Sequence, residues 1–315
     1  MTQPLVSIIT PSYNCGRFLN QTISSVLDQE YAGTLQYLVV DDGSTDGTWD
    51  GLGMWSMFND ESRFGALRDY EVIIGGNRNL SLRSQANIGE QATVNRGLKM
   101  VEGKYFMVVN ADDPLLPGCV SALVDFMEAH PDMLCVYPHV KTLNEDGSFR
   151  SIVKRPMYDF EYMVRHHTCA PSVGAMFRST VLQTVGLRDE SLRWLGDFDY
   201  WLRLGLQGKM ALYPQTLACW RHRGGQASKD RSDERAAEHV KTIKLLYDRL
   251  KPHDALWDVY SEAECWANIV AAGVCKSRRK MLAYTGKAIA HYPRLFTSLE
   301  FWDAARKRIA YLVRR

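Results

Sequence analysis

No apolar run in this 315-residue chain approaches the roughly 18 residues that a membrane span needs. Its amino terminus has no basic-then-apolar leader pattern, so a cytoplasmic location is expected. Charge of one sign is equally scarce: 38 Lys and Arg stand against 36 Asp and Glu, a formal net charge of +2. Nothing in that balance calls for nucleic acid. Cysteine is present but unpatterned, seven residues without a Cys-x-x-Cys pair. An odd, scattered set fits reduced core thiols better than a disulfide framework or a zinc site. No Gly-x-Gly-x-x-Gly follows the first apolar run, which excludes the dinucleotide fingerprint of an oxidoreductase. What is present is the composition of a globular protein, 46% hydrophobic and 23% charged. The length suffices for one large domain, or one domain with an appendage.

The stretch that organises the chain is Tyr105-Phe106-Met107-Val108-Val109-Asn110-Ala111-Asp112-Asp113-Pro114. Its apolar, β-branched run is long enough for one buried strand, and it ends in adjacent carboxylates before a proline that stops the strand. Such a pair is ordinary turn chemistry when it stands alone. Here it recurs. Leu5–Thr10 reads as a first strand closed by Pro11-Ser12-Tyr13-Asn14, and Leu35–Val40 as a second closed by Asp41-Asp42 before Gly43-Ser44-Thr45-Asp46-Gly47-Thr48. Helical spacing follows each, with Phe18, Ile23, Val26 and Leu27 after the first strand, and Val94, Leu98 and Val101 before Tyr105. Glu71–Ile74 is a third short strand, and Gly75 to Asn87 a long polar connection. The order is that of an α/β domain with a mostly parallel sheet, whose strand ends bring polar side chains to one edge.

Further along, a helix spans Gly118 to Ala129, Leu134–Tyr137 is a strand, and Asn144-Glu145-Asp146-Gly147 has hairpin-turn chemistry. Trp194 to Leu204 reads as a helix with Phe198, Trp201, Leu202 and Leu204 on its inner face and Asp197 at its amino end. Arg203 reads as an ion-pair partner on that helix. Trp220–Ser228 is a polar loop carrying Arg221, His222 and Arg223, suited to covering an anion. Residues 229–315 read as a helical extension to a domain of residues 1–228. Its last turns combine Phe301, Trp302, Ile309, Leu312 and Val313 with Arg306, Lys307, Arg308, Arg314 and Arg315. That face suits packing, a second copy, or peripheral contact with acidic lipid.

Thr10–Asn14, Val40–Thr48, Asn110–Asp113 and Gly196-Asp197-Phe198-Asp199 occur in the order and spacing of family 2 glycosyltransferases, which residues 4–228 resemble. Each motif is weak alone; their joint occurrence is specific. The resemblance implies a GT-A (Rossmann-like) fold and an inverting enzyme. It implies a nucleotide-diphosphate sugar as donor, transferred singly to a saccharide or lipid-linked acceptor in polysaccharide or glycan synthesis.

Residue by residue, Pro11 and Tyr13 correspond to the wall of the base, and Asp42 to the acceptor of its N–H, which favours a UDP or dTDP donor. Asn110 stands where Asp-x-Asp begins. Asp112, with Asp113 beside it and His222 as an additional ligand, would carry Mg²⁺ or Mn²⁺ on the diphosphate, and Arg221, His222 or Arg223 would assist from the covering loop. Asp197 matches the catalytic base, and Asp199, two residues on, points elsewhere on the helix. The amide at Asn110 keeps a second reading open, a non-catalytic binder of nucleotide sugars. Membrane-spanning processive synthases of the family also carry Gln-x-x-Arg-Trp; the order here is Trp220-Arg221.

Overall fold

In the computed structural model, residues 3–52, 63–64, 67–73, 77–226, 230–297 and 302 are described. They fall into two compact units: Met1–Tyr158 with Ala170–Gln226, and Asp159–Cys169 with Ala227–Arg315. Gln226 closes the first unit and Ala227 resumes the second, whereas the boundary expected from the sequence falls after residue 228. Asp159–Cys169, however, interrupts the first unit and belongs to the second, so the division is not a single cut along the chain.

The first unit is built on one ten-stranded sheet. Its strands are β1 Val6–Ser12, β2 Leu35–Asp41, β3 Arg63–Phe64, β4 Leu67–Ile73, β5 Arg78–Ser84, β6 Tyr105–Val108, β7 Met133–Leu143, β8 Phe149–Val153, β9 Met176–Arg178 and β10 Lys209–Arg221. Across the sheet the order is β10-β7-β9-β6-β1-β2-β5-β4-β3, with β8 paired to β7. β1 is parallel to β2 and β6, β2 to β5, and β7 to β10, while β9 runs antiparallel to both β6 and β7. β5, β2, β1, β6, β7 and β10 therefore all point the same way, and their carboxyl ends share one edge.

The polar connection expected after Ile74 is partly a strand. Arg78–Ser84 pairs in register with β2, and β4 joins it from the other side, antiparallel. Leu80 and Leu82 are its buried side chains, a period-two pattern diluted by two arginines and an asparagine.

Alternation divides the core between the two faces of the sheet. Val6 and Ile8 pack with Leu19, Ile23 and Val26 of α1 (Gly16–Leu27). The same cluster holds Val120, Leu123 and Met127 of a helix spanning Cys119–Ala129. Ile9 points the opposite way, where a Cβ on Gly97 would lie 2.4 Å from its Cγ2. The helix Glu90–Leu98 thus lies flat on that second face. Each such fully buried Ile or Leu contributes roughly 1.5–3 kcal/mol relative to exposure.

The second unit is helical. Asp159, Ser232 and Ser277 accept from the N–H groups of Tyr162, Arg235 and Lys280, capping the helices Phe160–His166, Asp233–Tyr247 and Arg278–His291. Small clusters around Trp266 and Ala288, and around Ala236 and Ala271, close its core. Of the basic last turns, only Trp302 is described, and it is exposed; the others lie outside the described residues. Among those described, no helix is long and apolar enough to cross a membrane.

Candidate active site

The loops after β1 and β2 are stitched together at the carboxyl edge. Asn14, at a left-handed φ of 50°, receives Thr45 N–H on Oδ1 (2.8 Å) and donates its own N–H to Ser44 Oγ (2.8 Å). Gly16 N–H reaches Asp46 Oδ2 at 3.1 Å, and Asp41 holds both the N–H and the hydroxyl of Ser44. Pro11 is half-buried beside this turn. Tyr13 leaves 50% of its surface exposed, which keeps its ring available for stacking.

Asp42 is buried and accepts three hydrogen bonds, from Gln85 Nε2, Ile88 N and Gly89 N, each at 2.9 Å. That uses three of the roughly four acceptor positions of a carboxylate. Gly43 makes the approach possible: its φ is +73°, and a Cβ there would stand 2.9 Å from Asn87 N. Asp42 thereby fixes the segment that starts the helix Glu90–Leu98.

Asp112 and Asp113 diverge. Asp113 turns inward, accepting Arg221 N–H on Oδ1 (2.8 Å) and the Asn110 amide on Oδ2 (2.9 Å). Burial, and next the charge of Asp112, push its carboxyl up to about 8 against the pull of those hydrogen bonds. Asp112 faces the loop after β10, where Arg223 Nε meets its Oδ2 at 2.5 Å. Burial alone would lower the Arg223 guanidinium, but Asp112 outweighs it and raises it.

Arg221, read from the sequence as a donor contact, is committed elsewhere. It is 2% exposed, and its donors go to Asp112 O (3.1 Å), Asn144 O (3.4 Å), Glu145 O (3.2 Å) and Gln21 Oε1 (2.6 Å). β10 runs alongside Pro114–Leu116, with Cys219 N on Pro114 O and Leu116 N on Leu217 O, so its last residue arrives beneath the Asp-Asp turn. Arg221 locks that turn from below. Arg223 is the guanidinium on the carboxylate.

Asp197 occupies the first turn of the helix Gly196–Gly205 and is exposed, its Oδ1 accepting Phe198 N–H at 2.7 Å. Asp199, on the buried side, pairs with Arg203 Nε at 2.7 Å, so Arg203 is the ion-pair partner its place on the helix suggested. The helix start is seated by glycine, because a Cβ on Gly196 would lie 2.4 Å from the Gln91 side chain. Asn95 ties down the preceding segment, accepting Arg188 N–H (2.8 Å) and donating to Arg188 O (2.9 Å) and Glu190 Oε1 (2.8 Å).

Glu90, one residue before Gln91, is the member that sequence reasoning missed. Its side chain is open to solvent, yet protein crowds it enough that desolvation, first, raises its carboxyl; Arg188 pulls it down, and Asp197 and Asp112 push it up. The charges of Asp197 and Asp112 both act on Glu90, which places the three carboxylates in one neighbourhood at the carboxyl edge of the sheet. No local pattern marks Glu90; only the packing of its helix against the Arg188–Gly196 segment brings it there.

The residues expected to hold Mg²⁺ or Mn²⁺ do not compose a resident cation site. Asp113 has both oxygens engaged, Asn110 spends its amide on Asp113, and Asp112 carries a guanidinium. His222 donates its backbone N–H to Leu143 O (2.8 Å), and its ring lies 4.5 Å from that of Trp220. Among the described residues no group of three His, Cys, Asp or Glu is arranged to hold a metal ion.

A family model for glycosyl transferase family 2 matches residues 7–185, more than half of the chain. The chain belongs to glycosyl transferase family 2. This glycosyltransferase is 25% identical over 257 residues to an uncharacterized glycosyltransferase of Haemophilus influenzae, covering 78% of this chain and 74% of that one. It is 26% identical over 210 residues to an Escherichia coli chondroitin synthase, covering 65% of this chain but only 27% of the synthase. With the putative teichuronic acid biosynthesis glycosyltransferase TuaG of Bacillus subtilis it shares 32% identity over 125 residues, 40% of this chain and 42% of TuaG.

Among solved structures, TarS of S. aureus in complex with UDP-GlcNAc superposes with a TM-score of 0.63 at 16% identity, over 93% of this chain and 89% of TarS. The mannosyltransferase PcManGT of Pyrobaculum calidifontis, in complex with GDP-Man and Mn²⁺, gives 0.60 at 17% identity over 99% and 81%. At such identities the likeness shows the fold, which is GT-A.

Proposed function

We propose that this glycosyltransferase moves a single sugar from a nucleotide-diphosphate donor, UDP or dTDP in the first instance, to a saccharide or lipid-linked acceptor during polysaccharide synthesis, with inversion at the anomeric carbon. The observation that carries this reading is that Asp42, the Asp112–Asp113 turn and Arg223 gather at the carboxyl edge of one parallel sheet, with the charges of Asp112 and Asp197 both acting on Glu90. The polysaccharides for which the chondroitin synthase and TuaG are named support the polysaccharide context, and TarS with UDP-GlcNAc supports the donor class.

In this reading Pro11 and the exposed ring of Tyr13 flank the base, and Asp42 offers its remaining acceptor position to the imide N–H. A sugar hydroxyl is a poor nucleophile near neutral pH, so Asp197 takes its proton as the oxygen attacks the anomeric carbon. The bond to the β-phosphate oxygen breaks on the opposite side, and one displacement inverts the centre. Negative charge gathers on the departing diphosphate, and a fixed positive charge beside Asp112 stabilises it as it develops.

The helix Arg278–His291 supports a lipid-linked acceptor. Leu282 and Ile289 are exposed on it, the same helix carries Arg278, Arg279 and Lys287, and no acidic residue occurs from Cys265 to Leu299. Such a face suits peripheral contact with anionic lipid, with pairing to a second copy as its competitor.

The test is incubation of the purified chain with UDP-, dTDP- and GDP-sugars, following slow donor hydrolysis and the anomeric configuration of the product. We expect turnover with one uridine or thymidine donor, abolished by Asp197→Asn. Binding of a donor without turnover, by a protein of unchanged melting profile, would favour the non-catalytic binder that the amide at Asn110 left open.

A further inference from the structure

We infer that the Arg223 guanidinium, held by Asp112, is itself the cation that receives the donor's diphosphate, so that donor binding in this chain does not require a divalent metal. The inference rests on the reading of this sheet edge as a nucleotide-diphosphate site and specifies how that site meets phosphate.

Three observations lead to it. First, the charge available at the turn is one carboxylate. Asn110 is neutral, and Asp113 is buried with an N–H on each oxygen, which leaves Asp112 alone to face a cation. Asp112 and Arg223 then neutralise each other. A divalent ion added beside Arg223 would set three positive charges against a single carboxylate before any phosphate arrived.

Second, Arg223 is held in place rather than trailing in solvent. Nε lies 2.5 Å from Asp112 Oδ2, one terminal nitrogen contacts Cys15 Sγ at 3.3 Å, the other meets Gly224 O at 3.3 Å, and the guanidinium stands 5.7 Å from the Phe18 ring centroid. Its loop is tethered as well: Gln226 Oε1 accepts Arg223 N–H (3.2 Å), and Glu145 Oε2 accepts Gly224 N–H (3.1 Å). A guanidinium fixed in this way loses little further freedom when it binds, and its planar fork matches paired phosphate oxygens.

Third, Arg223 has the right address. Asp112 closes the strand that lies beside β1 at the carboxyl edge of the sheet, and Cys15 and Phe18, which Arg223 contacts, belong to the β1–α1 junction that carries Pro11 and Tyr13. Arg221, two residues earlier, takes the structural duties, its own guanidinium 5.0 Å from the same Phe18 ring. The pair divides the labour: one arginine builds the turn and the other meets the ligand.

The experiment is calorimetric titration of the full chain with UDP, dTDP, GDP and the corresponding monophosphates, once with EDTA and once with Mn²⁺, alongside electron paramagnetic resonance of Mn²⁺ uptake. We expect one diphosphate to bind with similar affinity in both conditions, and its complex to take up no tight Mn²⁺. Arg223→Ala should weaken the diphosphate roughly ten- to hundredfold, as loss of a charged hydrogen bond does, and leave the monophosphate nearly unchanged. Arg223→Lys, which keeps the charge, should recover part of that loss and guards against a folding artefact.

Diphosphate binding that appears only with Mn²⁺, or that is indifferent to Arg223→Ala, overturns the inference while leaving the donor site intact. Absence of binding by every nucleotide in both conditions overturns the donor reading itself, and the inference with it.

Discussion

Two pairs of carboxylates, the Asp112–Asp113 turn and the Asp197–Asp199 helix start, are built to the same plan and stabilised by different means. In each, one acid faces inward, while the other turns outward, Asp112 to the loop after β10 and Asp197 to solvent. Asp113 is satisfied by neutral donors, a backbone N–H and the Asn110 amide, and burial lifts its carboxyl. Asp199 is satisfied by a charged partner, Arg203. The presented acids differ as well: Asp112 is paired with Arg223, while Asp197 is exposed at the helix start. The lesson is that a neutralised acid suits a place where phosphate must approach, and an exposed acid suits a place where a proton must be accepted.

The largest expected effect that separates the two presented acids comes from Asp197→Asn. Transfer should fall by about 10²–10⁴-fold, the usual worth of a general base, while donor affinity by calorimetry stays within a factor of about three of wild type by the same reasoning. A comparable loss of donor affinity would erase the distinction from Asp112.

The two inward acids should also separate. Asp199→Ala strands a nearly buried Arg203, and loss of about 3–5 kcal/mol is expected from breaking a buried pair, read as a large fall in Tm. Asp113→Asn removes no charged partner, and its cost should be smaller, about 1–3 kcal/mol for one mismatched buried hydrogen bond. Equal losses from both substitutions would show that the two acids are held alike.

A pH series sharpens the same contrast. The folded carboxyl of Asp113 is raised to about 8 from an ordinary value of 3.8. Between those values the folded state keeps a proton that the unfolded state has lost. Its contribution to stability is therefore full below the ordinary value and declines as pH rises toward 8. The difference in Tm between wild type and Asp113→Asn should shift against wild type over that window. A difference that stays flat would mean that the hydrogen bonds from Arg221 and Asn110 hold the carboxylate ionised.

The smallest effect is expected from Asn110→Asp, which replaces a donor with a second acid beside Asp113. A fall in Tm of about 4 °C or less, for a cost near 1 kcal/mol in a chain of this size, should accompany it. No fall would show that Asn110 contributes little to the turn.

Much of this was legible before any coordinates. The runs Ile8-Ile9, Leu38-Val39-Val40 and Phe106-Met107-Val108 are apolar on both faces, which only a central strand tolerates, and each is followed at once by turn-forming polar residues. β5 was hidden because Arg78, Asn79 and Arg83 dilute its two inward leucines. Arg221 and Arg223 were indistinguishable as residue types. Their division follows from where β10 ends, since Arg221 is the last residue of the strand and is buried under the Asp-Asp turn, while Arg223 lies beyond it in the loop.

By itself the sequence determined the α/β architecture, the sheet edge on which function gathers, and the four motifs of the family, because alternation, strand-ending turns and helix spacing are local properties that short-range sterics enforce. Only the tertiary structure decided which acid of each pair turns inward, which arginine meets Asp112, and that Glu90 comes under the charges of both Asp112 and Asp197. Those assignments depend on contacts between segments about a hundred residues apart in the chain. Burial and the nearest opposite charge, rather than the identity of the side chain, set what each carboxylate can do.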